Sequence, residues 1–277
     1  MHLQTEADMQ YKLIALDLDH TLLTSSRTIS ERNKRAIARA VEKGATVVLA
    51  TGRPFGGTAK YCEELGIKQP VITNGGAVVV DSATGETIFD QKLNEDLARE
   101  VIGFLHEQNC YHQIYDASPK FLCEAYTMYT ELYSHFTCMQ WKVVGDFLKL
   151  SSVMTPKVLC VDMASRLRVM LEMLRERFPG RLIAGISQPF FLEIYHPDAH
   201  KGAALRRLAE NMGLDACNVI AMGDSHIDKS MIEYAGLGVA MKNSTPEVLE
   251  AADLIAPGND EDGVAAVIEE YVLNEVE

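Results

Sequence analysis

Four short stretches hold side chains whose types and spacing could do chemistry. Asp17-Leu18-Asp19-His20-Thr21 follows an apolar segment directly. Two carboxylates two residues apart at a strand end point to one side, and keeping both ionised is costly unless a cation compensates. Mg²⁺ suits that role, since it takes oxygen ligands and is usually held by one or two carboxylates plus substrate oxygens. The same residues would serve equally as a strand-end turn with Asp as a cap. Gly223-Asp224-Ser225-His226-Ile227-Asp228 also follows an apolar run. Glycine permits a sharp turn there. Asp224 would face the same crevice and Asp228 would sit one helical turn on, or the stretch is a helix cap with favourable dipole charge. Ala50-Thr51-Gly52-Arg53 offers a hydroxyl and free backbone N–H groups at a helix start. Those groups suit a phosphate and also an ordinary cap. Lys201 opens a helix, where its charge opposes the macrodipole. An acidic partner in the crevice would give it a reason to be there; a solvated lysine is the plainer reading.

The elements that must position these residues alternate. Tyr11 to Asp19 reads as a strand buried on both faces. Ser30 is a good N-cap and Gly44 a good stop for the helix between them. A second strand ends at Thr51, a helix runs to about Leu65, and Pro70 to Thr73 is a third strand. This βαβαβ grammar implies a parallel sheet covered by helices. From Ala77 the grammar changes to short strands around a Thr84-Gly85 turn, then a mixture of helices and hairpins, including Lys157 to Asp162 and the run FFLEIY. Near His196 the alternation returns: helix Lys201 to Met212, strand NVIAMGD ending at Asp224, then further strand–helix pairs to Val272. The expected architecture is α/β, a doubly wound Rossmann-like parallel sheet core with an inserted α+β cap domain. The expected division is core 1–84, cap 85–195 and core 196–277. In open α/β sheets ligands sit at the carboxyl ends of the strands, where all four stretches fall.

Composition narrows the partners. At 277 residues with 47% apolar and 23% charged content, the chain can bury a sizeable core as about two domains. A net charge of −13 argues against nucleic acid or anionic lipid as partner, but not against an anionic substrate beside a local cation. No apolar run reaches the ~18 residues of a membrane span. MHLQTEADMQ lacks the pattern of a secretory signal and reads as a disordered extension, with Met9 an alternative start. Six cysteines without a metal-ligand pattern read as reduced, mostly buried thiols in a cytoplasmic protein.

Together DLDHT, ATGR, Lys201 and GDSHID resemble, in order and strand-end position, the four motifs of the haloacid dehalogenase superfamily. The run GDSHIDKSMIEYAGLGVAMKNS with TPEVLEAAD resembles the Cof-type phosphatases with an inserted α/β cap. The resemblance covers the chain from about Met9. It implies that Asp17 is the nucleophile that takes the phosphoryl group and Asp19 the general acid/base, with its backbone carbonyl also on Mg²⁺. It further implies that Thr51, Gly52 and Lys201 hold the phosphoryl group and that Asp17, Asp19 and Asp224 hold Mg²⁺. Asp228, Arg53 and Asn243 would support the site. Dense negative charge should raise the pKa of Asp19.

Three positions depart from the family pattern. His20 stands where the subfamily usually has Gly, Ile227 where Asn usually precedes Asp, and Gly75 where Asn usually precedes Gly-Ala; Asn74 lies one position early. His20 and His226 are expected at the mouth of the crevice as rim residues without a metal. Tyr115, Lys157, Glu193 and His196 are polar candidates from the inserted lobe, which should close over the crevice. The aromatic residues Tyr126, Tyr129, Tyr133, Phe136 and Trp141 read as core or cap surface. The expected activity is a Mg²⁺-dependent phosphatase acting on a small phosphorylated metabolite, a sugar phosphate or phosphorylated cofactor, by a monomer or homodimer. The alternatives are a sugar phosphomutase and a weakly active or non-hydrolytic phospho-ligand binder.

Overall fold

A computed structural model describes residues 10–116 and 120–275 of the chain. The opening segment up to Met9, including the alternative start, lies outside the described residues.

A parallel sheet carries the functional stretches. Its strands are β1 (Leu13–Leu16), β2 (Thr46–Leu49), β12 (Val219–Gly223), β13 (Leu237–Met241) and β14 (Leu254–Ala256), in the order β14-β13-β12-β1-β2. The register aligns Leu16 with Met222 and with Leu49, so β1, β12 and β2 end level with one another. The unbroken apolar run of β1 has a physical cause: both faces are covered. Ile14 and Leu16 pack with Ile37, Ala40 and Ile268 of α1 (Glu31–Glu42) and α9 (Gly263–Tyr271). Leu13 and Ala15 pack with Leu205 and Met231 of α6 (Lys201–Asn211) and α7 (Lys229–Tyr234). Ser30 caps α1 by accepting from the N–H of Asn33 at 3.1 Å, and Gly44 follows the helix at a φ of +102°.

The third strand takes a different place from the one its grammar suggests. β3 (Val71–Thr73) touches the parallel sheet through one bridge, Ala50 to Ile72. Its ladder runs antiparallel with β4 (Val78–Val80), which pairs in turn with β5 (Thr87–Asp90). The turn at Thr84–Gly85 thus lies between two strands of one sheet.

Between β5 and α6 lies a six-stranded sheet, ordered β10-β11-β9-β6-β7-β8. Its strands are β6 (His112–Tyr115), β7 (Phe121–Cys123), β8 (Trp141–Val143), β9 (Val158–Val161), β10 (Ile183–Gln188) and β11 (Phe191–Tyr195). One face packs on Leu97, Ile102, Leu167 and Leu174 of α3 (Glu95–Glu107) and α5 (Ala164–Arg177). The other carries Tyr115, Phe121, Leu159 and Phe191 against Tyr133 of α4 (Met128–Thr137). This sheet has its own core on both faces, separate from that of the parallel sheet. No helix among the described residues is long and apolar enough to cross a membrane. No cysteine among the described residues is disulfide-bonded.

Candidate active site

The site starts from the ladder between β1 and β12. Asp17 donates its N–H to Met222 O at 3.0 Å, which fixes its backbone at the strand end. Its carboxylate is buried, the side chain only 6% exposed. The chain then coils through Leu18–Leu22, with His20 in the left-handed region at a φ of +62°. This is costly for a residue bearing a Cβ, and it explains why glycine suits the position. Asn243 holds the turn, donating from Nδ2 to His20 O at 2.8 Å and accepting at Oδ1 from the N–H of Asn259 at 3.1 Å.

Lys201 lies beneath the sheet ends and is fully buried. Its ammonium donates to Asp17 Oδ1 at 2.6 Å and also to Asp228 Oδ1. Here is the motive that helix chemistry alone does not supply for a cation at a helix start. Asp228 is saturated on its other oxygen: Oδ2 accepts from the N–H of Asp224 (3.2 Å), the N–H of Ser225 (2.9 Å) and Ser225 Oγ (2.8 Å). Asp224 accepts from Thr21 Oγ1 at 3.2 Å. Burial, then the neighbouring Asp228 carboxylate, push the pKa of Asp17 well above the usual carboxylate value, while Lys201 pulls it back. Burial and Asp228 likewise push Asp224 up to about 7. Burial by itself would lower the pKa of Lys201, but the two carboxylates hold it raised.

Asp19 behaves differently from the expectation. Arg53 grips its carboxylate through Nε at 2.7 Å and Nη2 at 2.6 Å. Burial raises its pKa, but the hydrogen bonds and charge of Arg53 outweigh burial and leave it lowered. The acidic neighbours of Asp19 are outweighed by a guanidinium 34 residues on, which local sequence does not reveal. Among the described residues, the carboxylates that cluster here with metal-ligating atoms within 4.8 Å of one another are Asp17, Asp224 and Asp228.

The Thr51–Arg53 loop is held by the next one. Thr51 O accepts from the N–H of Gly75 at 3.0 Å, and Arg53 O accepts from the N–H of Asn74 at 2.9 Å. The Thr51 hydroxyl is buried and accepts from the N–H of Arg53 at 3.1 Å. Asn74 turns its Nδ2 to Thr73, and neither it nor Gly75 lines the cavity. Ile227 stands over Gly52, where an added Cβ would lie 3.2 Å from Ile227 Cδ1.

These groups floor a cavity of about 500 Å³ between the two lobes. Asp17, Asp19, Gly52, Arg53 and Asp224 line it, together with His20 and His226. Thr51, Lys201 and Asp228 are buried, with the last two behind the Asp17 carboxylate. The six-stranded lobe contributes Tyr133, Phe136, Lys157 and Glu193, among others. Lys157 donates to Glu193 Oε1 at 2.7 Å and to Gly52 O at 2.9 Å, which ties the lobe to the loop after β2. Tyr195 donates to the other Glu193 oxygen. Of the polar candidates read from sequence, Lys157 and Glu193 reach the cavity. Tyr115 is buried in its own lobe, and His196 meets Gln91. Arg27 and the aromatic pair Tyr133 and Phe136 line it too; no local pattern around them separates wall residues from core.

The donor set can hold a hard divalent cation. All its oxygens are carboxylate oxygens, the kind such ions take. Asp228 is committed on both oxygens, whereas Asp17 and Asp224 each keep an oxygen outside the bonds described above. Two excess negative charges so close together, in a buried site, call for a compensating cation.

A buried carboxylate at a strand end, paired with lysine and flanked by acidic residues, belongs to a known class. Residues 14–268 match the model of the haloacid dehalogenase-like hydrolase family. The chain belongs to that family, in its Cof-type branch, and is a phosphoric monoester hydrolase. YxeH of Bacillus subtilis is 35% identical over 276 residues, which span 95% of this chain and 99% of YxeH. The 5-amino-6-(5-phospho-D-ribitylamino)uracil phosphatase YcsE of the same organism is 32% identical, covering 99% of this chain and all of YcsE. The crystal structure of a haloacid dehalogenase-like hydrolase from Bacteroides thetaiotaomicron superposes with a TM-score of 0.83 at 33% identity, covering 94% of this chain and 99% of that one.

Proposed function

We propose that this phosphatase hydrolyses a small phosphorylated metabolite, a sugar phosphate or a phosphorylated cofactor, through a phosphoryl group carried on Asp17 with Mg²⁺ as cofactor. The observation that carries the reading is the buried Asp17 carboxylate on the cavity floor, held by Lys201 beside Asp224. Asp17 and Asp224 would hold the metal. When bound, Mg²⁺ neutralises the phosphoryl oxygens and so lets one anion approach another.

Asp17 attacks phosphorus as the bond to the leaving oxygen breaks. Asp19 gives that oxygen a proton. Asp19 then takes a proton from water, which attacks phosphorus, and the bond to Asp17 breaks to free inorganic phosphate. For Asp19 to carry that proton, the grip of Arg53 must loosen when substrate enters. The anionic phosphoryl group is the competitor that can draw the guanidinium off. Gly52 offers its backbone N–H to the phosphoryl oxygens. Thr51 and Lys201 are second to it here: the hydroxyl braces the loop and the ammonium positions Asp17.

The six-stranded lobe, within residues 85–195, serves as the cap. Its tie from Lys157 to Gly52 supports a closed arrangement that excludes water. A cavity of about 500 Å³ accommodates a metabolite rather than a polymer. The name of YcsE, a phosphatase of a ribityl-bearing uracil, supports a sugar- or cofactor-like substrate. The test is phosphate release from a panel of phosphorylated metabolites. Turnover on a panel member should require Mg²⁺, cease with a chelator, and vanish in Asp17→Asn. Equal turnover by Asp17→Asn would overturn the assignment of the nucleophile.

A further inference from the structure

A second group of side chains with clustered metal-ligating atoms lies in the six-stranded lobe, away from the acidic cavity. It comprises His106 on the last turn of α3, His112 at the start of β6, and Glu124 just after β7, with nitrogen and oxygen atoms within 4.8 Å of one another. His106 Nε2 stands 2.9 and 3.0 Å from the two Glu124 oxygens. The imidazole rings of His106 and His112 are 5.1 Å apart between centroids.

His112 is the telling residue. Its Nδ1 lies 2.9 Å from Cys110 O. A carbonyl only accepts, so the ring proton sits on Nδ1 and Nε2 presents a bare lone pair. The residue is 4% exposed, and that Nε2 has no hydrogen-bond partner among the described residues. An unsatisfied buried acceptor is costly, so its retention asks for an occupant.

We propose that His106, His112 and Glu124 bind a divalent transition-metal ion of the zinc class. Two imidazoles and one carboxylate form a donor set that zinc takes with water as the fourth ligand, and one that Mg²⁺ does not favour. Nδ1–H donation to a backbone carbonyl is the usual way a ligating histidine is oriented. Glu124 is oriented as well, since its Oε1 accepts from the N–H of Phe147 at 2.7 Å. His106 and Glu124 are 32% and 28% exposed at the side chain, which opens a path for the ion and its water. A tetrahedral ion spaces its ligands ~3.3 Å apart, so His106 Nε2 and Glu124, now 2.9 Å apart, open slightly while His112 Nε2 draws in toward them. The ion takes the lone pair of His106 Nε2, so the ring proton now shared with Glu124 passes through solvent to Nδ1 and the imidazole stays neutral. Once bound, it ties α3, β6 and the end of β7 together.

The experiment is equilibrium dialysis of the full chain, stripped by chelator and refilled with zinc under excess Mg²⁺. It is run alongside Asp224→Asn, which disables the acidic cluster. One zinc per chain should bind to parent and to Asp224→Asn alike, with X-ray absorption showing imidazole scattering. His106→Gln keeps an amide beside Glu124 and should weaken binding at least about tenfold. Glu124→Gln is the second variant should His106→Gln fail to fold. Zinc should also raise the melting temperature of the parent and leave that of the variants unchanged. No zinc bound by the parent, loss of zinc in Asp224→Asn, or undiminished binding by both lobe variants would each overturn the proposal.

Discussion

Lys201→Met removes a cation that the fold has buried completely while keeping the length of the chain and most of its apolar contact. Asp17 and Asp228 then lose their shared donor. Breaking a buried ion pair from one side costs about 3–5 kcal/mol, because a buried charge is left uncompensated. Asp17 already has a raised pKa from burial and from Asp228, with Lys201 pulling it back, so without the lysine it takes up a proton readily. That escape limits the cost to the lower end, about 3 kcal/mol near neutral pH. At roughly 2–4 °C per kcal/mol for a chain of this size, the melting temperature should fall by about 6–12 °C.

The assay is thermal unfolding in chelator, followed by circular dichroism, for parent and variant. The sign of the pH dependence follows from the proton. The deficit of the variant is full where the carboxylates are ionised, toward about pH 8, and shrinks as they protonate toward about pH 5. The same substitution made in an Asp228→Asn background should cost at least ~1 kcal/mol less, since fewer charges are stranded. Melting temperatures within about 2 °C of each other near pH 8, or strict additivity of the two substitutions, would refute the reasoning.

Other expectations follow from single contacts. Gly76→Ala should destabilise the protein by about 3 kcal/mol or more, seen in chemical denaturation, because the glycine has a φ of +102° and its added Cβ would lie 2.3 Å from the backbone carbon of His200. His20→Gly should stabilise by up to about 1 kcal/mol in the same assay, as release of the left-handed strain is partly offset by the freer unfolded chain. His200 caps α6 by accepting at Nδ1 from the N–H of Ala203 at 3.1 Å, and burial lowers its pKa below 6.5. The contribution of this cap is therefore full above that pH and lost as pH falls through the folded value. His200→Asn, which caps without titrating, should flatten that part of the stability profile.

How far the sequence could be read depended on how local each cause was. Ser30, Gly44 and the unbroken apolar run of β1 act within a few residues, so the α/β alternation was legible. The strand-end rule places Asp17 with Asp19, Thr51, Asp224 and Lys201 at one crevice; Asp17, Asp19 and Asp224 line the cavity, while Thr51 and Lys201 are buried. Even the oddity of Lys201 at a helix start pointed to an acidic partner, although that partner lies 184 positions away. Pairings among those residues were another matter. Whether Asp19 would face Asp17 or Arg53 depends on the left-handed turn at His20 and on where the loop after β2 leaves its guanidinium. Periodicity says nothing about either. β3 keeps one parallel bridge to Ala50 and makes its ladder with the nearby β4, a choice that periodicity does not reveal. The tie from Lys157 to Gly52 and the orphaned nitrogen of His112 exist only because separate elements bury polar atoms together. Residue type and spacing thus determined which chemistry the chain carries, while the packing of distant segments decided which charges neutralise one another and which polar atoms are left to seek a ligand.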